Sequence, residues 1–137
     1  MAESGSSHGW CSLRLRFDER ELELLRGAEQ VRGAAMARTA GPTELRTALA
    51  LAKAGQKVAN AAPGATLVLD ETELGLLLEA VRFAVPRVQA AARPAADEQP
   101  VLAAFPELTE KGTWRSFGLV RELEALAARL ASALKGG

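Results

Sequence analysis

The chain is short of the side chains from which catalytic and metal sites are most often built. Cys11 is the only cysteine and His8 the only histidine among 137 residues, and tyrosine is absent. This excludes a disulfide within the chain, and it excludes the common cysteine and histidine zinc sites within one copy. We therefore expect no metal, no cofactor and no enzymatic activity.

Neither sign of charge is in excess. The chain has 17 basic and 17 acidic residues, a formal net charge of zero and a pI near 6.6. Such a chain has no overall field that would draw it to nucleic acid or to an anionic membrane surface. Its most apolar run, Leu74 to Val85, is interrupted by Glu79 and Arg82 and is too short to span a bilayer. Nucleic acid is therefore not the expected partner, and no membrane span is expected.

The first eleven residues, "MAESGSSHGWC", are small and polar. They lack the basic start and apolar centre of a signal peptide, so we expect a disordered tail and a cytoplasmic protein. His8 and Cys11 could act as base and nucleophile only if a fold positioned them, which a tail does not do. Residues 12–137 have the usual length of one domain and predict a single globular domain.

Two short stretches have the pattern of strands. "SLRLRF", from Ser12 to Phe17, alternates apolar and basic residues, which is typical of a strand with one buried face. "ATLVL", from Ala65 to Leu69, is apolar on both faces after Thr66. We expect this second strand to be the better covered of the two.

Helical patterns follow at about residues 19–38, 42–61, 71–92 and 116–135, with Ser116 as a candidate cap of the last. The third helix is apolar around almost its whole circumference, so it is either central to a core or shared with a partner. Pro86 should kink it or end its regular part. The last helix has a heptad-like apolar seam. The proline-rich stretch 93–112 predicts a loop with one helical turn near 107–111.

The two strand–helix junctions resemble each other. Residues 15–28 and 67–80, which include "RFDERELELL" and "VLDETELGLL", are identical at eight of fourteen aligned positions. We predict an α+β fold, mostly α, in which a two-stranded sheet packs against about four helices. Two βαα units related by internal duplication would span about 12–62 and 65–137. Because a lone strand pair is marginal in water, helices or a second chain must cover it.

The repeated acids are compatible with catalysis, with a hard metal ion or with helix capping. At each junction an aspartate (Asp18, Asp70) precedes a glutamate (Glu21, Glu73) by three positions, the spacing of a capping box. Apolar residues flank each pair at the positions of a hydrophobic staple. Capping explains the leucines as well as the acids, so we interpret these carboxylates as structural.

Because the residues for catalysis and metal binding are scarce, the sequence predicts a non-enzymatic interaction or adaptor module that acts through apolar helix surfaces. The expected partner is a second copy of the chain, in a homodimer, or another protein. The expected partner contacts lie on the third helix and at the only aromatic cluster: Leu78, Val81, Val85, Trp114, Arg115 and Phe117. The alternative function is a small-ligand or nucleic-acid binding regulator. It would use Arg14 and Arg16, which share one face of the first strand.

Overall fold

The computed structural model describes residues 12–39, 41–91, 99–105 and 113–136. Within these ranges the chain forms two strands and five helices: β1 (Ser12–Arg16), α1 (Glu19–Thr39), α2 (Pro42–Ala59), β2 (Thr66–Asp70), α3 (Glu71–Ala91), α4 (Gln99–Ala104) and α5 (Thr113–Gly136). The predicted mostly helical fold with a short two-stranded sheet is confirmed. The expected tail at 1–11 and the expected helical turn near 107–111 lie outside the described residues.

The two strands pair in antiparallel register, with Leu13 opposite Leu69 and Leu15 opposite Leu67. Because side chains alternate along a strand, these four leucines share the face that packs on the helices. Leu67 and Leu69 are 9% and 0% exposed, whereas Leu13 and Leu15 are half-buried. On this face β2 is therefore the better covered strand, as predicted.

The other face of the sheet is open to solvent. Arg14 and Arg16 of β1 and Thr66 of β2 are exposed there. Val68 is 43% exposed on the same face. Although β2 is apolar on both faces after Thr66, the described helices pack on its leucine face only.

The helices that follow the strands begin with matching pairs of hydrogen bonds. The Glu21 amide donates to Asp18 Oδ1 at 2.7 Å, and the Asp18 amide donates to Glu21 Oε1 at 3.0 Å. The Glu73 amide donates to Asp70 Oδ1 at 2.7 Å, and the Asp70 amide donates to Glu73 Oε1 at 3.0 Å. These are the predicted first and second capping boxes. The four apolar residues at the staple positions are buried: Phe17, Leu22, Leu69 and Leu74.

α3 is the central helix and contacts α1, α2 and α5. Its fully buried residues lie within an arc of about 120° on one side of the helix: Leu74, Leu77, Ala80, Val81, Ala84 and Val88. Of the two explanations for its apolar circumference, a central position in the core is the one observed.

The helix does not end at Pro86 but continues to Ala91. Pro86 and Arg82 are both exposed, so water can reach the Arg82 carbonyl that the proline leaves without a donor.

A short helix, α4, occupies part of the stretch for which a loop was predicted. Its residue Val101 and the adjacent Phe105 are 1% and 2% exposed. The Phe105 ring packs on Gly27 of α1 so closely that a Cβ on the glycine would lie 2.7 Å from the Phe105 Cζ atom. The proline-rich sequence did not predict this helix because its anchor lies on a different helix, far along the chain.

The apolar seam of α5 packs inward. Val120, Leu123, Ala127 and Leu130 are all buried, and α5 packs against α3. The helix begins at Thr113, so Ser116 lies inside it and the prediction of a Ser116 cap is wrong. Buried apolar residues from β2 and all five helices join one hydrophobic cluster.

Candidate interaction surfaces

The partner contacts predicted on α3 are covered by the chain itself. Leu78 is 6% exposed and Val81 is 0% exposed. Val85 is half-buried and packs against the core. Side chains that their own chain already buries have little surface to offer a partner. The apolar character of α3 is therefore explained by its place in the fold.

Of the partner contacts predicted on α5, only Phe117 has a described side chain. Phe117 is 64% exposed, which is high for an aromatic side chain. Trp114 and Arg115 lie in the first turn of α5, but their side chains are outside the described part of the structure. Phe117 is the only large exposed aromatic among the described side chains, and one such residue does not form a surface patch.

The predicted anion contacts, Arg14 and Arg16, lie together on the open face of the sheet. With Thr66 and Val68 they line a shallow depression of about 460 Å³. Arg16 Nε donates to Thr66 Oγ1 at 3.4 Å, which joins the two strands on this face. The structure therefore brings the two arginines together beside a hydroxyl group and leaves them accessible.

Sequence reasoning missed an apolar surface on α2. Leu45 and Leu49, one helical turn apart, are 57% and 70% exposed, and Ala52 continues the same line. The exposed basic residues Arg46 and Lys53 lie beside this line. We call these five residues the α2 outer face.

A signal for this surface was present in the sequence. Residues two positions apart in a helix are rotated by about 200° about the helix axis. Leu49 and Leu51 must therefore point to nearly opposite sides. Leu51 is 1% exposed and packs in the core. The sequence thus indicated that one of the two leucines lies on the outside, and the structure shows that it is Leu49, which is 70% exposed.

The acidic residues at the helix starts are engaged in structural contacts. Arg129 of α5 donates through Nη1 to Glu21 Oε2 at 2.5 Å, and its guanidinium carbon lies 4.8 Å from the centre of the Phe17 ring. Lys57 of α2 donates to Glu73 Oε1 at 2.8 Å. Each capping box is thus bound by a basic side chain from another helix. These contacts favour the structural interpretation of the acids over catalysis.

One carboxylate lies apart from these pairs. Glu29 of α1 packs where α2 crosses it, and a Cβ on Gly55 would lie 2.7 Å from the Glu29 Cδ atom. Burial raises the pKa of Glu29, because desolvation disfavours its charged form. Glu29 is half-buried at this crossing of α1 and α2.

Among the described residues, no three His, Cys, Asp or Glu side chains are grouped so that they could hold a metal ion. None of the described helices has the length and hydropathy that crossing a membrane requires. The chain matches no protein-family model, no curated protein and no solved structure.

Proposed function

We propose that the protein is a non-enzymatic interaction module that binds an amphipathic helix of another protein on the α2 outer face. The observation that carries this proposal is the exposure of Leu45 and Leu49, at 57% and 70%, on adjacent turns of one helix. Apolar side chains spaced in this way are typical of a surface that receives the apolar stripe of a second helix.

The charges beside the α2 outer face favour a partner with an acidic flank. Arg46 and Lys53 lie next to the leucine line. If two copies of α2 packed antiparallel about Leu49, Arg46 of one copy would approach Lys53 of the other. Like charges at such a contact are destabilising, whereas glutamates on a partner helix would pair with both. We therefore propose a different protein as partner in preference to the homodimer expected from the sequence.

A titration with designed helices tests this proposal. One synthetic peptide has leucines along a heptad seam and glutamates beside them, and a second has lysines in place of the glutamates. We expect micromolar binding of the acidic peptide, and binding of the basic peptide about tenfold weaker, which is about 1.4 kcal/mol. Leu45→Glu with Leu49→Glu should abolish binding, whereas Phe117→Glu, an exposed apolar residue elsewhere, should not.

Light scattering measures the oligomeric state of the wild-type protein and of these variants. If the protein forms a homodimer that Leu49→Glu dissociates, the proposal of a different protein as partner is contradicted. The α2 outer face would still be the contact surface in that case. Equal affinity for both peptides would contradict the charge argument. Binding that survives Leu45→Glu with Leu49→Glu would overturn the α2 outer face as the site.

A second function, anion binding on the open face of the sheet, is supported by the adjacent exposed side chains of Arg14 and Arg16 beside Thr66. If it operates, a short oligonucleotide or inorganic phosphate will bind with an affinity that falls as salt rises. Arg14→Gln with Arg16→Gln will then remove the binding. Equal binding by this variant and the wild-type protein would exclude the sheet face.

We also infer that the two halves arose by duplication. α1 and α3 are both 21 residues long, and each begins one residue after the aspartate of a capping box. The contacts are also reciprocal, since Lys57 from the first half binds the second box and Arg129 from the second half binds the first. The single domain and the cytoplasmic location stay predictions from the sequence.

A further inference from the structure

A groove distinct from the α2 outer face lies where the second half of α1, the start of α2 and the second half of α3 meet. Its volume is about 560 Å³, within the range of small-molecule sites. Met36 and Phe83 contribute apolar surface, and three arginines line it: Arg32, Arg38 and Arg87. We call it the Phe83 groove.

Two of these arginines are arranged around the aromatic ring. The guanidinium carbon of Arg87 lies 4.2 Å from the centre of the Phe83 ring, and that of Arg32 lies 4.5 Å from it. Stacking on a ring uses the flat face of a guanidinium and leaves the N–H groups at its edge available to bind an anion. Arg32 Nε also donates to Glu79 Oε1 at 3.0 Å, which fixes its position and offsets its charge. Arg38 and Arg87 therefore supply the positive charge of the groove.

The carboxylate that lines the groove, Glu44, is directed toward the start of α2. It lies in the first turn of that helix, and its Cδ atom is 3.2 Å from the position of a Cβ on Gly41. Negative charge in a first helical turn interacts favourably with the helix dipole. Glu44 therefore offsets the charge of Arg38 and Arg87 only in part.

We propose that the Phe83 groove binds a small organic anion: a carboxylate, sulfonate or phosphate attached to an apolar body. Arg38 and Arg87 bind the anionic group. The apolar body packs against Ala35 and against the edge of the Phe83 ring, because the two guanidiniums stack on the ring face. Arginine suits this role because its planar fork can donate two hydrogen bonds to one such group. This site is independent of the helix-binding surface, because neither Leu45 nor Leu49 lines it.

Fluorescence titration with anilinonaphthalene sulfonate, an aromatic anion, tests the proposal. We expect saturable binding at one site per chain, and affinity about tenfold weaker for neutral phenylnaphthylamine, because that probe lacks the group that the arginines bind. Arg38→Gln with Arg87→Gln should weaken sulfonate binding about tenfold while the circular dichroism spectrum stays that of the wild type; the melting temperature should fall slightly, because Arg87 no longer stacks on Phe83. The matched control, Arg82→Gln with Arg121→Gln, removes two exposed arginines that line neither the groove nor the sheet face, and it should bind as the wild type does.

Amide chemical shifts provide a second measurement that does not depend on the variants. Shifts confined to residues near Met36 and Phe83 on addition of the sulfonate support the site. Shifts centred on Leu49 would overturn it, as would loss of binding in Leu45→Glu with Leu49→Glu. Equal affinity for the charged and neutral probes would show that the arginines do not bind the anion, which also contradicts the proposal. None of these results depends on whether a helical peptide binds α2.

Discussion

Replacement of Gly27 by alanine tests the packing of α4 on α1. In the interior of a helix alanine is favoured over glycine by about 1 kcal/mol, so α1 alone would gain stability. The structure predicts the opposite, because the new Cβ would lie 2.7 Å from Phe105 Cζ and 3.1 Å from Phe105 Cδ1. Phe105 is 2% exposed, so its ring has little room to move.

The expected cost follows from these contacts. Overpacking of a core typically destabilises by about 1 to 3 kcal/mol. Complete loss of the buried Phe105 ring would cost about 3 to 5 kcal/mol, which sets the upper limit. After subtracting the helix propensity gain of about 1 kcal/mol, we expect Gly27→Ala to destabilise by about 0 to 2 kcal/mol, with an upper limit of about 4 kcal/mol.

Two other glycines provide matched controls. A Cβ on Gly75 of α3 or on Gly118 of α5 would meet nothing within 4 Å. Gly75→Ala and Gly118→Ala should therefore each stabilise the protein by up to about 1 kcal/mol. Urea denaturation monitored by circular dichroism measures all three variants on one scale.

A double-mutant cycle isolates the contact between Gly27 and Phe105. In a Phe105→Ala background the ring is gone, so Gly27→Ala should no longer destabilise. If Gly27→Ala is as stable as Gly75→Ala in the wild-type background, Phe105 does not pack on Gly27 and the placement of α4 is refuted. A cost that persists after the ring is removed would also contradict this explanation.

Three further predictions concern charged side chains, each measured by chemical denaturation. Asp70→Ala should cost about 1 to 2 kcal/mol and Asp18→Ala about 0.5 to 1 kcal/mol, because the first capping box is more exposed; equal costs would contradict this. Lys57→Met removes the cation from the second capping box and should cost about 1 kcal/mol, whereas Lys53→Met, on the exposed side of α2, should change little. Burial raises the pKa of Glu29 above its ordinary value of 4.5. The contribution of this shift to the free energy of unfolding is therefore fully present below pH 4.5, and it is lost as the pH rises through the raised pKa. Glu29→Gln should thus gain stability relative to the wild type as the pH rises toward neutral, and a pH-independent difference would refute it.

The helix starts were predictable because they depend on residues a few positions apart. The aspartate and glutamate of each capping box are three residues apart, so their hydrogen bonds form wherever the helix begins. α1 was expected at about 19–38 and is observed at Glu19–Thr39, and α3 was expected at about 71–92 and is observed at Glu71–Ala91. The strand alternation that places Arg14 and Arg16 on one open face is equally local.

The candidate surfaces were less predictable because each depends on how helices meet. Leu78 and Leu49 are both leucines within helices, yet one is 6% and the other 70% exposed. Periodicity shows that a helix has an apolar side, but it does not show whether another helix of the same chain covers that side. The same limit hid the Phe83 groove, whose lining residues come from three helices.

The sequence by itself determined where the strands lie, where the long helices start and why acidic residues cluster there, since these follow from hydrogen bonding and side-chain alternation between near neighbours. The tertiary structure alone decided that α3 is central, that Phe105 packs on Gly27 and that Leu49 faces solvent. These outcomes depend on contacts between residues far apart in the chain. They arise only when all the helices compete for the same core, and no single segment contains the information that settles that competition.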